Sequence, residues 1–219
     1  MSLVANVSAL YYRTVDAFAH IDGLPALLLR LYLAPIFITA GLHKINHIDD
    51  IISWFGNPDW GLGLPAPELM AYLAAYTEFL GGFALLLGLA TRLVAIPLMV
   101  TMLVAALTAH WDNGWFAIAS SGQETSIAYV LEMVGFPGAK ESLENSLEVA
   151  TRLGRAKEIL EENGNYSWLS GKGSFVVLNN GIEFAATYFI MLLSLFFTGG
   201  GRYVSADHYL AKVFPKPQH

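Results

Sequence analysis

The chain contains no cysteine. That excludes a disulfide framework, a dithiol redox centre and thiolate metal ligands together. Charge is scarce as well: 14% of its 219 residues are Asp, Glu, Lys or Arg, against about 25% in an ordinary soluble domain. No basic cluster occurs, which argues against nucleic acid as a partner. Phosphate-loop, dinucleotide-binding and hydrolase-elbow patterns are missing in any convincing context. Apolar residues dominate instead, at 55%, with a mean hydropathy of +0.49. The net charge of −6 owes much to one stretch, residues 141–162, which reads as water-exposed. These figures fit an integral membrane protein.

Apolar runs cover residues 24–42, 68–90, 93–109 and 175–198. Crossing hydrocarbon takes roughly 20 helical residues at ~1.5 Å each, so each run reads as a span, the third near the lower limit. A tight turn at Thr91 and Arg92 makes spans two and three an antiparallel hairpin. The expected fold is all-α: an integral membrane four-helix bundle with an N-terminal amphipathic helix and a helical extramembrane insertion between spans three and four. Residues 1–23 lack a continuous apolar core and carry Arg13, Asp16, His20 and Asp22, unlike a cleavable signal. Leu3, Val7, Leu10, Tyr11, Val15 and Phe18 fall at helical spacing, as in a helix lying on a membrane surface. Residues 24–110 form spans one to three, 111–174 the insertion, and 175–219 span four and the tail. Within the insertion, residues 140–162 have the period of an amphipathic helix, ended by Asn163 and Gly164.

Basic residues set orientation. With four spans, Arg13, Arg30, Arg92, Arg202, Lys212 and Lys216 share the side of both termini, whereas Lys44 and Lys172 flank the spans opposite. Both termini are therefore expected in the cytoplasm, with the insertion outside. Trp54, Trp60, Trp111, Trp115 and Trp168 then all fall in the two outer loops, where an interfacial belt and a pocket roof are both open readings.

Ionisable residues interrupt the apolar runs. Glu78 and Glu183 lie within spans two and four, His43 and Lys44 close span one, and His110 closes span three. A charge near the bilayer centre costs ~2.5–3.5 kcal/mol on insertion scales, so each needs a partner or a purpose. One expectation is a polar pocket in the outer half. There Glu78 and Glu183 take or relay protons, and His43, Lys44, His110 and the indoles of Trp54, Trp60 and Trp111 bind substrate. A second is structural: the glutamates are neutralised by Lys44 and a histidine. A third is a metal site drawing on His43, His47, His110 and the carboxylates, with nitrogen and oxygen ligands suited to zinc, copper(II) or iron. Arg30, about two turns into span one, is expected to snorkel to the surface.

The order Arg30, Gly41-Leu42-His43-Lys44, Gly63-Leu64-Pro65-Ala66-Pro67, Glu78, Gly81-Gly82, Gly88-Leu89-Ala90-Thr91-Arg92 resembles the DoxX family. Ala106 to His110, Glu183 and Gly200-Gly201-Arg202-Tyr203-Val204-Ser205-Ala206-Asp207 resemble its third span and ending. The resemblance implies a four-helix protein of the bacterial inner membrane. Relatives include the DoxD-type subunit of thiosulfate:quinone oxidoreductase, DoxX proteins tied to oxidative-stress defence, and others encoded beside modified metal-binding peptides. By that analogy the chain is a membrane subunit of a redox system binding a quinone or similar amphipathic molecule. No electron carrier is evident in it, so a partner or the substrate would supply electrons. Two alternatives stay open: a non-enzymatic binding or transport component for a metal or small metabolite, and a scaffold for a periplasmic or membrane protein partner. The insertion is longer than the family's usual connection. Substrate, reaction direction and oligomeric state are not specified by the sequence.

Overall fold

A computed structural model describes residues 3–18, 21–118 and 127–214. His20, Lys216 and His219 lie outside these, as do residues 119–126 of the insertion. The described residues form an all-α membrane protein. Helices α2 (Leu24–Asn46) and α4 (Pro67–Leu87) and the helical stretch Thr91–Asn113 are long and apolar enough to cross a membrane. Helix α9 (Glu183–Thr198) is equally apolar but has 16 residues. The chain divides into two compact units, residues 1–101 with 189–219, and residues 102–188.

In the first unit, α2 buries Ala26, Arg30, Leu33, Ala34, Phe37 and Gly41. This is the i, i+3, i+4 stripe of a helix with one packed face. Helix α4 answers with Ala71, Ala75, Glu78, Gly81, Gly82 and Leu85. Small residues let the backbones approach, as membrane helices require when lipid offers no hydrophobic contrast. A methyl on Gly41 would run into the backbone N of Phe79, and one on Gly82 would lie 2.7 Å from the Ile38 side chain. The opposite faces stay apolar and bare: Leu28 is 56% exposed on α2, and Leu80 and Leu87 60% each on α4. In water such surfaces would be an anomaly; against acyl chains they are the solvent-facing side. Helix α1 (Leu3–Phe18) exposes Val7, Leu10, Tyr11, Tyr12 and Phe18. Helix α3 (Ile48–Gly56) packs on α4, and α10 (Ala206–Val213) ends the described chain.

The hairpin turn sits slightly before its expected place. Gly88 terminates α4 in the left-handed conformation at φ 64°, its N–H bonding back to α4 carbonyls. Ala90 is also left-handed, and Thr91 already belongs to α5 (Thr91–Ala105).

In the second unit, α5 runs on through a π-helical turn, Ala106–His110, and a 3-10 turn, Trp111–Asn113. The third apolar helix is thus longer than the run at residues 93–109. The run from Phe175, expected as one helix, divides. Leu178 makes an isolated antiparallel bridge to Ile118, and helix starts only at Glu183. Asn180 is left-handed at φ 59°. A methyl on Gly181 would lie 2.7 Å from the Gly114 carbonyl oxygen. Helix cannot propagate upstream through that pair. Between these stem segments the insertion folds as α6 (Ile127–Met133), α7 (Ala139–Asn163) and the short α8 (Tyr166–Leu169). The α7 face Ala139, Ser142, Leu143, Ser146, Val149 is buried, and its outer face is laced by Arg152–Glu148 and Arg155–Glu158 ion pairs, each at 2.8 Å.

Candidate functional site

The strongest polar pairing inside the spans joins α2 to α4. Lys44 occupies the last turn of α2, where the helix dipole favours a cation. Its Nζ donates to Glu78 Oε2 at 2.5 Å. The Glu78 side chain is 4% exposed and that of Lys44 20%, so the carboxylate is sealed while the lysine side chain stays partly accessible. A charge pair in low dielectric is strongly coupled, and removing one partner leaves the other stranded.

The other expected site residues are placed as follows. His43 is exposed one position before Lys44, and its ring lies against His47, with centroids 4.5 Å apart. His47 Nδ1 sits 3.0 Å from the His43 carbonyl oxygen. Among the described residues, no group of three or more His, Asp or Glu side chains is arranged to hold a metal. Trp54 is half-buried on α3, Trp60 exposed in the loop after it, and Trp111 exposed beyond the π turn.

His110 and Glu183 belong to the second unit, so they are described apart from Lys44 and Glu78. His110 Nδ1 lies 2.7 Å from the Asn180 carbonyl oxygen. Glu183 opens α9 rather than lying within a span. Its Oε2 accepts the Ala117 N–H at 2.9 Å, and its own N–H donates to the Trp115 carbonyl at 2.8 Å. A carboxylate at a helix N-terminus is where the dipole favours one. Asn179 completes this stem, donating to the Asn113 and Phe116 carbonyls at 2.5 and 3.0 Å and accepting from Asn145.

Arg30 corrects its expected role. It does not snorkel; it is 1% exposed. Nε donates to the Leu85 carbonyl at 2.7 Å and Nη2 to Leu86 at 3.0 Å. Nη1 donates to the Gly200 carbonyl, and both terminal nitrogens reach that of Val204 at 3.2 Å. The last carbonyls of α4 have no intrahelical donors, and the guanidinium supplies them while tying in the chain after α9. Asp207 acts reciprocally. Its Oδ1 and Oδ2 accept the Ala90 and Thr91 N–H groups at 2.6 and 2.9 Å, capping α5, and its own N–H donates to Gly88 at 2.9 Å. Gly88 is required twice over. It holds a positive φ, and a methyl there would lie 2.6 Å from Arg30 Cζ. The sequence signal was present, an arginine in an apolar run and a Gly-Gly-Arg ending before an aspartate, but not the pairing that turns them into a latch.

On the α5 side of α4, Tyr76, Thr77, Leu80, Gly81, Ala84, Val94 and Pro97 line an open apolar groove of about 360 Å³. It does not enclose Glu78, which faces α2, so groove and ion pair are neighbours along α4 rather than one cavity.

The "Putative oxidoreductase CatD" of Bacillus subtilis (strain 168) is 38% identical over 82 residues, 37% of this chain and 57% of that protein. The "Uncharacterized membrane protein Rv3486" of Mycobacterium tuberculosis (strain ATCC 25618 / H37Rv) is 32% identical over 88 residues, 39% of this chain and 52% of that one. The matches thus span little more than half the length of these relatives. No solved structure matches the chain. The DoxX family profile matches residues 26–111, from the start of α2 to the end of the π turn, taking in Arg30, Lys44, Glu78 and Gly88. Over residues 26–111 this membrane protein is similar to the DoxX family.

Proposed function

We propose that the chain is a membrane component of a redox system in the bacterial inner membrane, receiving a quinone or similarly amphipathic small molecule at Lys44 and Glu78. The observation that carries this reading is the ion pair itself, sealed on the glutamate side and partly accessible on the lysine side. The partly accessible Lys44 side chain is suited to donate a hydrogen bond to a carbonyl or anionic oxygen. Glu78, relieved of its partner at that moment, is suited to take or release the accompanying proton. Relatedness to a protein named as an oxidoreductase supports the redox class; electrons come from a partner or from the substrate. His43 flanks the entry, and His110 and Glu183 serve a second polar station. Both termini lie in the cytoplasm.

The directness of the contact favours one other reading, in which the pair only fastens α2 to α4. Equilibrium binding of a short-chain quinone to purified protein tests the proposal. Saturable binding weakened at least about tenfold by Lys44→Met, a loss of ~1.4 kcal/mol, supports it. Binding absent in wild type, or unchanged in the variant, sinks it.

A further inference from the structure

We propose that the apolar knob formed by α6 and the turn after it, residues 129–136, is seated in the lipid interface and anchors the insertion to the membrane surface. Tyr129, Val130, Met133, Val134 and Phe136 are all exposed, Met133 and Val134 at 74% each. Glu132 is the one charged residue among them. An exposed apolar cluster of this kind needs cover.

Its place in the second unit says what covers it. The Phe136 ring meets Trp115 edge to face, with centroids 4.7 Å apart. The Trp115 carbonyl in turn accepts the N–H of Glu183, the first residue of apolar α9. A methyl on Gly138 would touch the Ile182 side chain at 3.5 Å. The knob is therefore fastened, through one aromatic contact, to the point where an apolar helix begins, which is the membrane boundary. Water bathes the charged face of α7, whose Arg152, Glu148, Arg155 and Glu158 side chains are 58–78% exposed. The knob offers one phenol and one carboxylate but no cation, which suits the edge of the hydrocarbon better than a directional protein contact. Such segments bury their apolar face ~5–10 Å into the headgroup–acyl boundary.

The absence of cysteine makes the test clean. Val134→Cys and Glu158→Cys proteins, each carrying one environment-sensitive fluorophore, are reconstituted in phosphatidylcholine–phosphatidylglycerol vesicles. Quenching is read with doxyl lipids, labelled near the top of the acyl chain, and with aqueous iodide. The label at Val134 should lose about half its emission to doxyl lipid and resist iodide, as expected for a probe at the acyl boundary. The label at Glu158 should do the reverse. Iodide quenching at Val134 equal to that at Glu158 overturns the proposal. So does protection from both quenchers, which would mean that protein, a second copy included, covers the knob. If Val134→Cys fails to fold, Val130→Cys reports on the same surface by the same criteria.

Discussion

At the level of single residues, two cations within the spans, Arg30 and Lys44, have different work, and substitution separates them. Arg30 meets the carbonyls of Leu85, Leu86, Gly200 and Val204 through its planar fork. Lysine keeps the charge but cannot span that set. Arg30→Lys should therefore cost about 3 kcal/mol, since hydrogen bonds to charged groups contribute ~1.5–3 kcal/mol and stranded carbonyls add to the loss. A lowered thermal midpoint in detergent checks this; an unchanged midpoint would remove the latch. Lys44 and Glu78 pose the sharper question. Under the proposed function, Glu78→Gln abolishes turnover in protein that still folds, because the amide cannot titrate. Under the fastening reading, a lysine without its counter-charge lowers stability by ~3–5 kcal/mol. The double change Glu78→Gln with Lys44→Met discriminates. Stability and function restored together in it would establish the fastener, whereas stable but inactive protein in both the single and the double variant supports the proton role.

At the level of elements, the hairpin between α4 and α5 depends on one glycine and one carboxylate. Gly88→Ala should destabilise by more than the ~1–2 kcal/mol of a left-handed alanine, because its methyl also meets Arg30. Asp207→Ala should cost ~0.5–2 kcal/mol as a lost helix cap, and Asp207→Asn less, since an amide oxygen still accepts one N–H. Midpoints ranked otherwise would mean that the turn is held by packing alone. These elements also show how far the sequence could be read. Helices α2 and α4 were legible because length, apolarity and an interrupting charge survive in one dimension. The start of α9 was not. Hydropathy treats Val176, Val177 and Leu178 like any span residues, while the break at residue 183 comes from the Asn180 backbone and the close seat of Gly181 on the stem. Arg30 was misassigned for a similar reason. Snorkelling is a property of an isolated helix, and the carbonyls that hold the guanidinium inside come from residues 85–86 and 200–204, far along the chain.

At the level of the whole molecule, topology turns on α9. Its 16 residues reach roughly 24 Å at helical rise, a little short of the ~30 Å hydrocarbon core, which a bilayer accommodates by local thinning at modest cost. If α9 crosses, Glu158 in the insertion and Lys212 in α10 lie on opposite faces; if it only dips, they share one. Under the proposed orientation, in which Arg13, Arg92, Arg202 and Lys212 share the side of both termini, Lys212 is expected in the cytoplasm. Both residues are exposed, and neither belongs to the proposed site, so Glu158→Cys and Lys212→Cys should fold normally. In intact cells, a membrane-impermeant maleimide should modify Glu158→Cys and spare Lys212→Cys until the cells are opened. Modification of Lys212→Cys alone would turn the molecule over and move Lys44 to the cytoplasmic side. Modification of both, or of neither, in intact cells would mean that α9 does not cross. The chain would then be a three-span protein, and Glu183 would mark the foot of a re-entrant segment.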